Sequence, residues 1–160
     1  LMHQHKIDPD HFLNTVHAID YTPVLAHPEL VEAIAALPGR KFILTNGDVA
    51  HARAVLQRLG GNELFEHVHD IRAMTFVPKP HRGAYQGFLT RHAIDPTRAV
   101  LFDDLEKNLL VPHEMGMSTV QVVANSAWSH DLVEPWELGQ AGEHVHHVTD
   151  DLARFLRRMP

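Results

Sequence analysis

The chain predicts an α/β fold with a largely parallel sheet flanked by helices, and three observations carry that reading. Short strand-like segments within 41–44, 65–71, 99–102 and 119–123 alternate with stretches of helical periodicity. Several helical stretches open on Asp or Pro and close on Gly. Two polar groups, Thr45-Asn46-Gly47 and Asp103-Asp104, stand just past apolar runs. In a parallel sheet those are the carboxyl ends of strands, outside which ligands bind.

The elements follow in order. Asp8-Pro9 supplies an N-cap and a proline at the first helical position, and Phe12, Leu13, Val16 and Ile19 follow at helical spacing, which predicts a helix over about 9–19. Pro28 opens a second helix that runs to Leu37 and stops at Pro38-Gly39, and Lys41 to Leu44 reads as a short buried strand. Asp48 caps a third helix, with Val49, Ala52, Val55, Leu56 and Leu59 on its apolar face and Gly60-Gly61 at its end. A brief strand is predicted within Phe65–Ile71, a helix over Gly83–His92 with Tyr85, Phe88 and Leu89 inward, and a strand over Ala99–Phe102.

After Asp104 a helical stretch is expected to break at Pro112 into a turn and a short helix ending at Gly116, because proline cannot sit deep inside a helix. Thr119–Val123 is a β-branched strand. Thr149, Asp150 and Asp151 cap a last helix whose Leu152, Phe155 and Leu156 face the core, with Arg154, Arg157 and Arg158 near its C-terminal dipole. Asn125 to Glu143, with Trp128 and Trp136, reads as a loop with one short helix.

Composition bounds the function. A length of 160 residues suits one domain, and 44% hydrophobic with 21% charged residues is ordinary for a globular core. The net charge of −6 comes without any basic run, so neither nucleic acid nor an anionic membrane is an expected partner. With no cysteine there are no disulfides or thiolate metal sites, and no apolar run approaches the ~18 residues of a membrane span. A cytoplasmic protein acting on a small ligand is the expectation. The 15 histidines, including His3, His5 and His144 to His147, are scattered and form no metal-binding motif, and the alternation at 144–147 fits a solvent-facing strand edge.

The polar residues at the strand ends suit phosphate. A Thr hydroxyl and the backbone N–H groups of a Gly-containing turn opening a helix can hold phosphate oxygens, and Thr45 to Asp48 is such a turn. Lys79, stiffened between Pro78 and Pro80, offers a point charge, and the paired carboxylates Asp103 and Asp104 suit Mg²⁺, which takes one or two protein carboxylates plus phosphate oxygens and water.

These three segments, in this order, resemble the second, third and fourth motifs of the haloacid dehalogenase (HAD) phosphohydrolases. Phe65, Asp70-Ile71, Phe76-Val77-Pro78-Lys79-Pro80, Tyr85, Phe102-Asp103-Asp104 with Asn108, and Gly116-Met117 extend the likeness over nearly the whole chain, toward the pyrimidine 5′-nucleotidase branch. The resemblance implies a Mg²⁺-dependent phosphatase, acting on a nucleotide 5′-monophosphate or similar phosphorylated metabolite through an aspartyl-phosphate. Thr45, Asn46 and Gly47 would bind the phosphoryl group, Lys79 would stabilise the phospho-aspartyl intermediate, Asp104 with Asp103 would hold the metal, and Asn108 would support them.

The departure is at the front. The family carries a nucleophilic Asp and an acid/base Asp on its first, central strand, followed by a helical cap. Here residues 1–24 resemble only the remnant of that cap and 25–160 the HAD-like core; Asp8-Pro9-Asp10 has an Asp-x-Asp spacing but begins a helix. The expectation is an N-terminally truncated Rossmannoid core, inactive without its nucleophile. Its sheet edges would close on each other, pair with a second copy as a homodimer, or leave a destabilised fold. Two other classes stay open: a non-catalytic HAD-like domain binding phosphate, Mg²⁺ or a protein, and a 2-haloacid dehalogenase. The acidic pair Asp103-Asp104 favours phosphate, because dehalogenation needs no divalent cation.

Overall fold

The structure, a computed structural model, describes residues 8–124 and 142–159. Residues 125–141, with both tryptophans, and His3 and His5 lie outside the described residues. The described chain divides between Phe76 and Val77 into two compact units. Length alone gave no sign of this division. Each unit has its own sheet and its own helices, so each buries apolar faces internally.

In the first unit, α1 (Pro9–Val16) begins at Asp8, whose side chain accepts the Asp10 N–H at 3.1 Å. The helix stops three residues short of the expected end; the N–H of His17 already closes back onto the Leu13 carbonyl. α2 (Pro28–Ala36) leads to β1 (Phe42–Leu44), which pairs in parallel with β2 (His67–His69) in the register Phe42↔His67 to Leu44↔His69. Between these strands runs α3 (Val49–Leu59), capped by Asp48 and ended by Gly60 at φ +87°, a conformation glycine adopts without strain. Leu13, Ala33, Ala52, Leu56, Ile71 and Met74 form its buried core. Arg58 donates to the carbonyls of Val24 and Thr22, at 3.1 and 2.9 Å, and so ties the segment before α2 to α3.

In the second unit, α4 (Arg82–His92) buries Ala84, Tyr85, Phe88 and Leu89, the inward face that the periodicity predicts. A three-stranded parallel sheet follows in the order β3 (Val100–Asp103), β4 (Ser118–Val122), β5 (His147–Thr149). α6 (Leu152–Leu156) closes the described chain; Asp151 caps it by accepting the Arg154 N–H at 2.9 Å. Strands are parallel throughout, as expected, but they form two sheets: β1 is an edge of one and β3 an edge of the other. Among the described residues β5 is also an edge strand, with the consecutive His147 and Val148 both exposed; of residues 144–147 only His147 lies in it, so the alternation read there is not that of a strand.

The expected break at Pro112 falls earlier. A 3₁₀ turn spans Glu106–Asn108, and α5 (Leu110–Glu114) contains Pro112 in its first turn. There the missing N–H costs no intrahelical bond, so a buried proline is accommodated. α5 then ends before Gly116, at φ +93°.

Two outcomes test these local accounts. Asp48 is buried at 7% exposure; burial raises its pKa, but the hydrogen bond from the His51 N–H (2.8 Å), the nearby His17 and the more distant Arg72 outweigh that and hold it below the ordinary carboxylate value. A carboxylate with a depressed native pKa stabilises above its unfolded pKa and loses that contribution as pH falls through the native one. Asp48→Ala is therefore expected to destabilise by about 1–2 kcal/mol at pH 7, the difference from wild type shrinking below about pH 4 in urea titrations. Thr75 and Phe76 occupy the left-handed region at φ 53° and 60°, which is costly for a β-branched residue. Thr75→Asn is expected to stabilise by about 0.5–1 kcal/mol, read as a rise in the thermal midpoint.

Candidate active site

The residues singled out by sequence fall in two groups, one in each unit. In the first unit, β1 delivers Thr45 directly after its last residue, where the Thr45 N–H still donates to the His69 carbonyl at 3.0 Å. The chain then turns: the Gly47 N–H donates to Thr45 Oγ1 at 3.0 Å, and the Gly47 carbonyl accepts from the Ile71 N–H at 3.1 Å. Asn46 is exposed at the apex, and Asp48 starts α3. A cavity of about 300 Å³ borders this turn; Thr45 and His51 are polar members of a lining that is otherwise mainly aliphatic, including Val31, Ile43 and Val55.

Residues that sequence reasoning did not single out surround the same turn. His17, the C-cap of α1, places Nδ1 3.2 Å from Asp48 Oδ2. At that distance the two meet as a charge pair when the ring is protonated. The His17 ring stacks on His51 with centroids 4.5 Å apart and planes 15° from parallel. The Tyr21 hydroxyl lies 2.9 Å from His51 Nδ1 and 3.1 Å from the His17 carbonyl. Its single proton serves one of these, so when it goes to the carbonyl, His51 Nδ1 is the donor to Tyr21. Burial and then the neighbouring His17 push the His51 pKa down. One signal in the sequence pointed here: His17 and Tyr21 flank Asp20 just upstream of α2, at a spacing no metal motif uses.

In the second unit the centre is Asp103, the last residue of β3, at 7% exposure. Its Oδ2 accepts from Lys79 Nζ at 2.6 Å, and its Oδ1 accepts from the Leu105 N–H at 3.0 Å and from Asn108 Nδ2 at 2.8 Å. Three donors, one of them cationic, compensate the buried charge. Lys79, Asp103 and Asn108 are thus brought together. The Asn108 carbonyl in turn accepts from the Tyr85 hydroxyl at 2.7 Å, and burial, helped by Asp103, pushes the Tyr85 pKa well up, so it stays a donor.

Asp104 stands outside this network. It is exposed, and among the described residues no hydrogen bond or ion pair engages its carboxylate; its backbone carbonyl lies 3.4 Å from Gln121 Nε2. Asn108 Oδ1 is buried without a partner. Both are hard oxygen donors of the kind Mg²⁺ takes, whereas Asp103 is already committed to three donors. No group of three or more His, Asp or Glu side chains suited to a metal occurs among the described residues, so any cation here would rely on water and ligand oxygens for the rest of its shell.

Comparison with known proteins bears on this arrangement. The structure is similar to L-2-haloacid dehalogenase from Xanthobacter autotrophicus with chloropropionic acid covalently bound, at 20% identity and a TM-score of 0.63 over 84% of this chain and 62% of that one. A second L-2-haloacid dehalogenase is similar at 16% identity and a TM-score of 0.68, over 95% of this chain and 63% of that one. CbbY from Rhodobacter sphaeroides in complex with phosphate is similar at 17% identity and a TM-score of 0.60, over 80% of this chain and 53% of that one. At such identities the likeness is one of fold, and the chain spans less than two thirds of the length of each. The sequence pattern of haloacid dehalogenase-like hydrolases matches residues 4–116. With a match over well above half of its length, the chain belongs to the haloacid dehalogenase-like hydrolases.

Proposed function

We propose that this chain is the greater part of a Mg²⁺-dependent phosphomonoesterase of the pyrimidine 5′-nucleotidase kind, cytoplasmic and acting on a nucleotide 5′-monophosphate. The observation that carries this reading is the division of labour between the two adjacent carboxylates. Asp103 is buried and neutralised by Lys79, while Asp104 is exposed with no partner among the described residues. A hydrolase that expels halide from carbon has no use for the second carboxylate; one that transfers a phosphoryl group does.

In this reading Thr45, Asn46 and Gly47 hold phosphoryl oxygens through a hydroxyl and backbone donors at the start of α3. Lys79 keeps a positive charge at a fixed position, aimed by Asp103, which is itself oriented by Asn108 and the Leu105 N–H. Asp104 would hold the metal with support from Asp103 and Asn108. When bound, Mg²⁺ neutralises charge on the transferring group. None of the residues named here is given the part of the attacking aspartate or of the acid/base aspartate.

The test compares this chain with one extended upstream to the start of its gene, measuring Mg²⁺-dependent phosphate release from UMP and from an aryl phosphate. Activity is expected only in the extended protein. Asp104→Asn and Lys79→Met are each expected to lower it roughly a hundredfold or more. Lys79→Met also leaves Asp103 buried with two neutral donors, so its circular dichroism is compared with wild type first. Halide release from chloropropionic acid without phosphate release would establish the dehalogenase reading instead. Silence on both substrates would leave a non-catalytic domain, and phosphate release by the short chain would show that the nucleophile lies within these residues.

A further inference from the structure

We propose that His17 is an anion-binding residue of the Thr45–Gly47 turn, its protonated imidazole donating from Nε2 to an oxygen of the phosphoryl group. The proposal rests on the reading of that turn as a phosphoryl site and adds to it a residue from the segment ahead of the core. Two atoms locate the shared space. A Cβ placed on Gly47 would lie 3.3 Å from Thr45 Oγ1 and 3.5 Å from His17 Nε2, so hydroxyl and imidazole both stand beside Gly47, within reach of one bridging oxygen. The third neighbour of that spot, His51 Cδ2 at 3.3 Å, is a ring edge with no acid proton to offer.

The surroundings orient and charge the ring. Nδ1 faces Asp48 at 3.2 Å, which leaves Nε2 as the nitrogen turned to the Gly47 side. The stack on His51 fixes the ring plane, and Tyr21 anchors both partners by its contacts with His51 Nδ1 and the His17 carbonyl. Two stacked imidazoles resist being charged together, and burial disfavours the charge on His51, whereas the His17 ring has the Asp48 carboxylate beside it. The groups that bear on it are Asp48, His51 and Tyr21, with Arg72 acting on Asp48 while itself paired with Asp10. His17 is mostly buried, with 17% of its side chain exposed, enough for a ligand oxygen and little else.

Inorganic sulfate is the probe, because it keeps its double charge between pH 5 and 8 where phosphate does not. The full 160-residue chain is titrated with sulfate while the imidazole nitrogens are followed by NMR. Expected are a shift of the His17 Nε2 resonance on binding, weaker sulfate affinity at pH 8 than at pH 5, and a loss of roughly tenfold in affinity in both His17→Ala and Thr45→Ala. The wild-type resonance reports even where a variant fails to fold. Sulfate binding that is weakened by Thr45→Ala, yet leaves His17 unshifted and is unchanged in His17→Ala, would overturn the role of His17 and keep the turn as a phosphoryl site. No sulfate binding to the wild-type chain at any of these pH values would overturn both.

Discussion

The buried carboxylate of Asp103 is the constraint on which the second unit's functional end depends. An ionised group at that depth would be costly unless fully compensated, and each compensating donor fixes a piece of backbone. Lys79 brings the Pro78–Pro80 loop to the end of β3; the Leu105 N–H sets the turn that leaves the strand; Asn108 holds the 3₁₀ turn over Glu106–Asn108. Through the Asn108 carbonyl the network reaches the Tyr85 hydroxyl and hence α4, whose buried face it anchors. Structure and candidate chemistry are one arrangement here, because the charge that must be neutralised for folding is the charge that aims the lysine.

Asp48 has the corresponding double use in the first unit. As N-cap it satisfies the His51 N–H at 2.8 Å, and through its other oxygen it faces His17. A cap is ordinarily a local device worth about 1 kcal/mol. Here its second oxygen also polarises a neighbouring imidazole, so helix initiation and the electrostatics of the Thr45–Gly47 turn are set by one side chain. His51 completes the link, since its backbone N–H is capped by Asp48 and its ring forms the floor on which His17 stacks.

Much of this was legible in the sequence wherever the controlling physics is local. Caps at Asp8, Asp48 and Asp151, the glycine stop at Gly60, and the inward face of Tyr85, Phe88 and Leu89 are written in short-range residue patterns, and the structure carries them out. Non-local features were harder to read. Pro112 signals a break by itself, but whether it interrupts a helix or occupies its first turn depends on where the preceding 3₁₀ turn ends. The two-sheet pairing is a matter of long-range partners. His17 is one of 15 histidines, and its significance comes from a carboxylate 31 positions later and a ring 34 positions later, partners that no local spacing reveals.

Charge bookkeeping within the second unit separates the two hydrolytic chemistries of the family more sharply than fold can. Lys79, Asp103 and Asp104 together carry one net negative charge, and the positive member is already in contact with one of the negatives. Left to these side chains alone, that end of β3 repels an anion. A haloalkanoate brings a carboxylate and no cation, so nothing it carries would offset this repulsion. In the proposed reading, a phosphomonoester that arrives with a divalent cation would reverse the balance, since Asp104 would then face charge of opposite sign. In that reading the exposed Asp104 disfavours a bare anion and favours one that brings a cation, an asymmetry that a likeness of backbone cannot express.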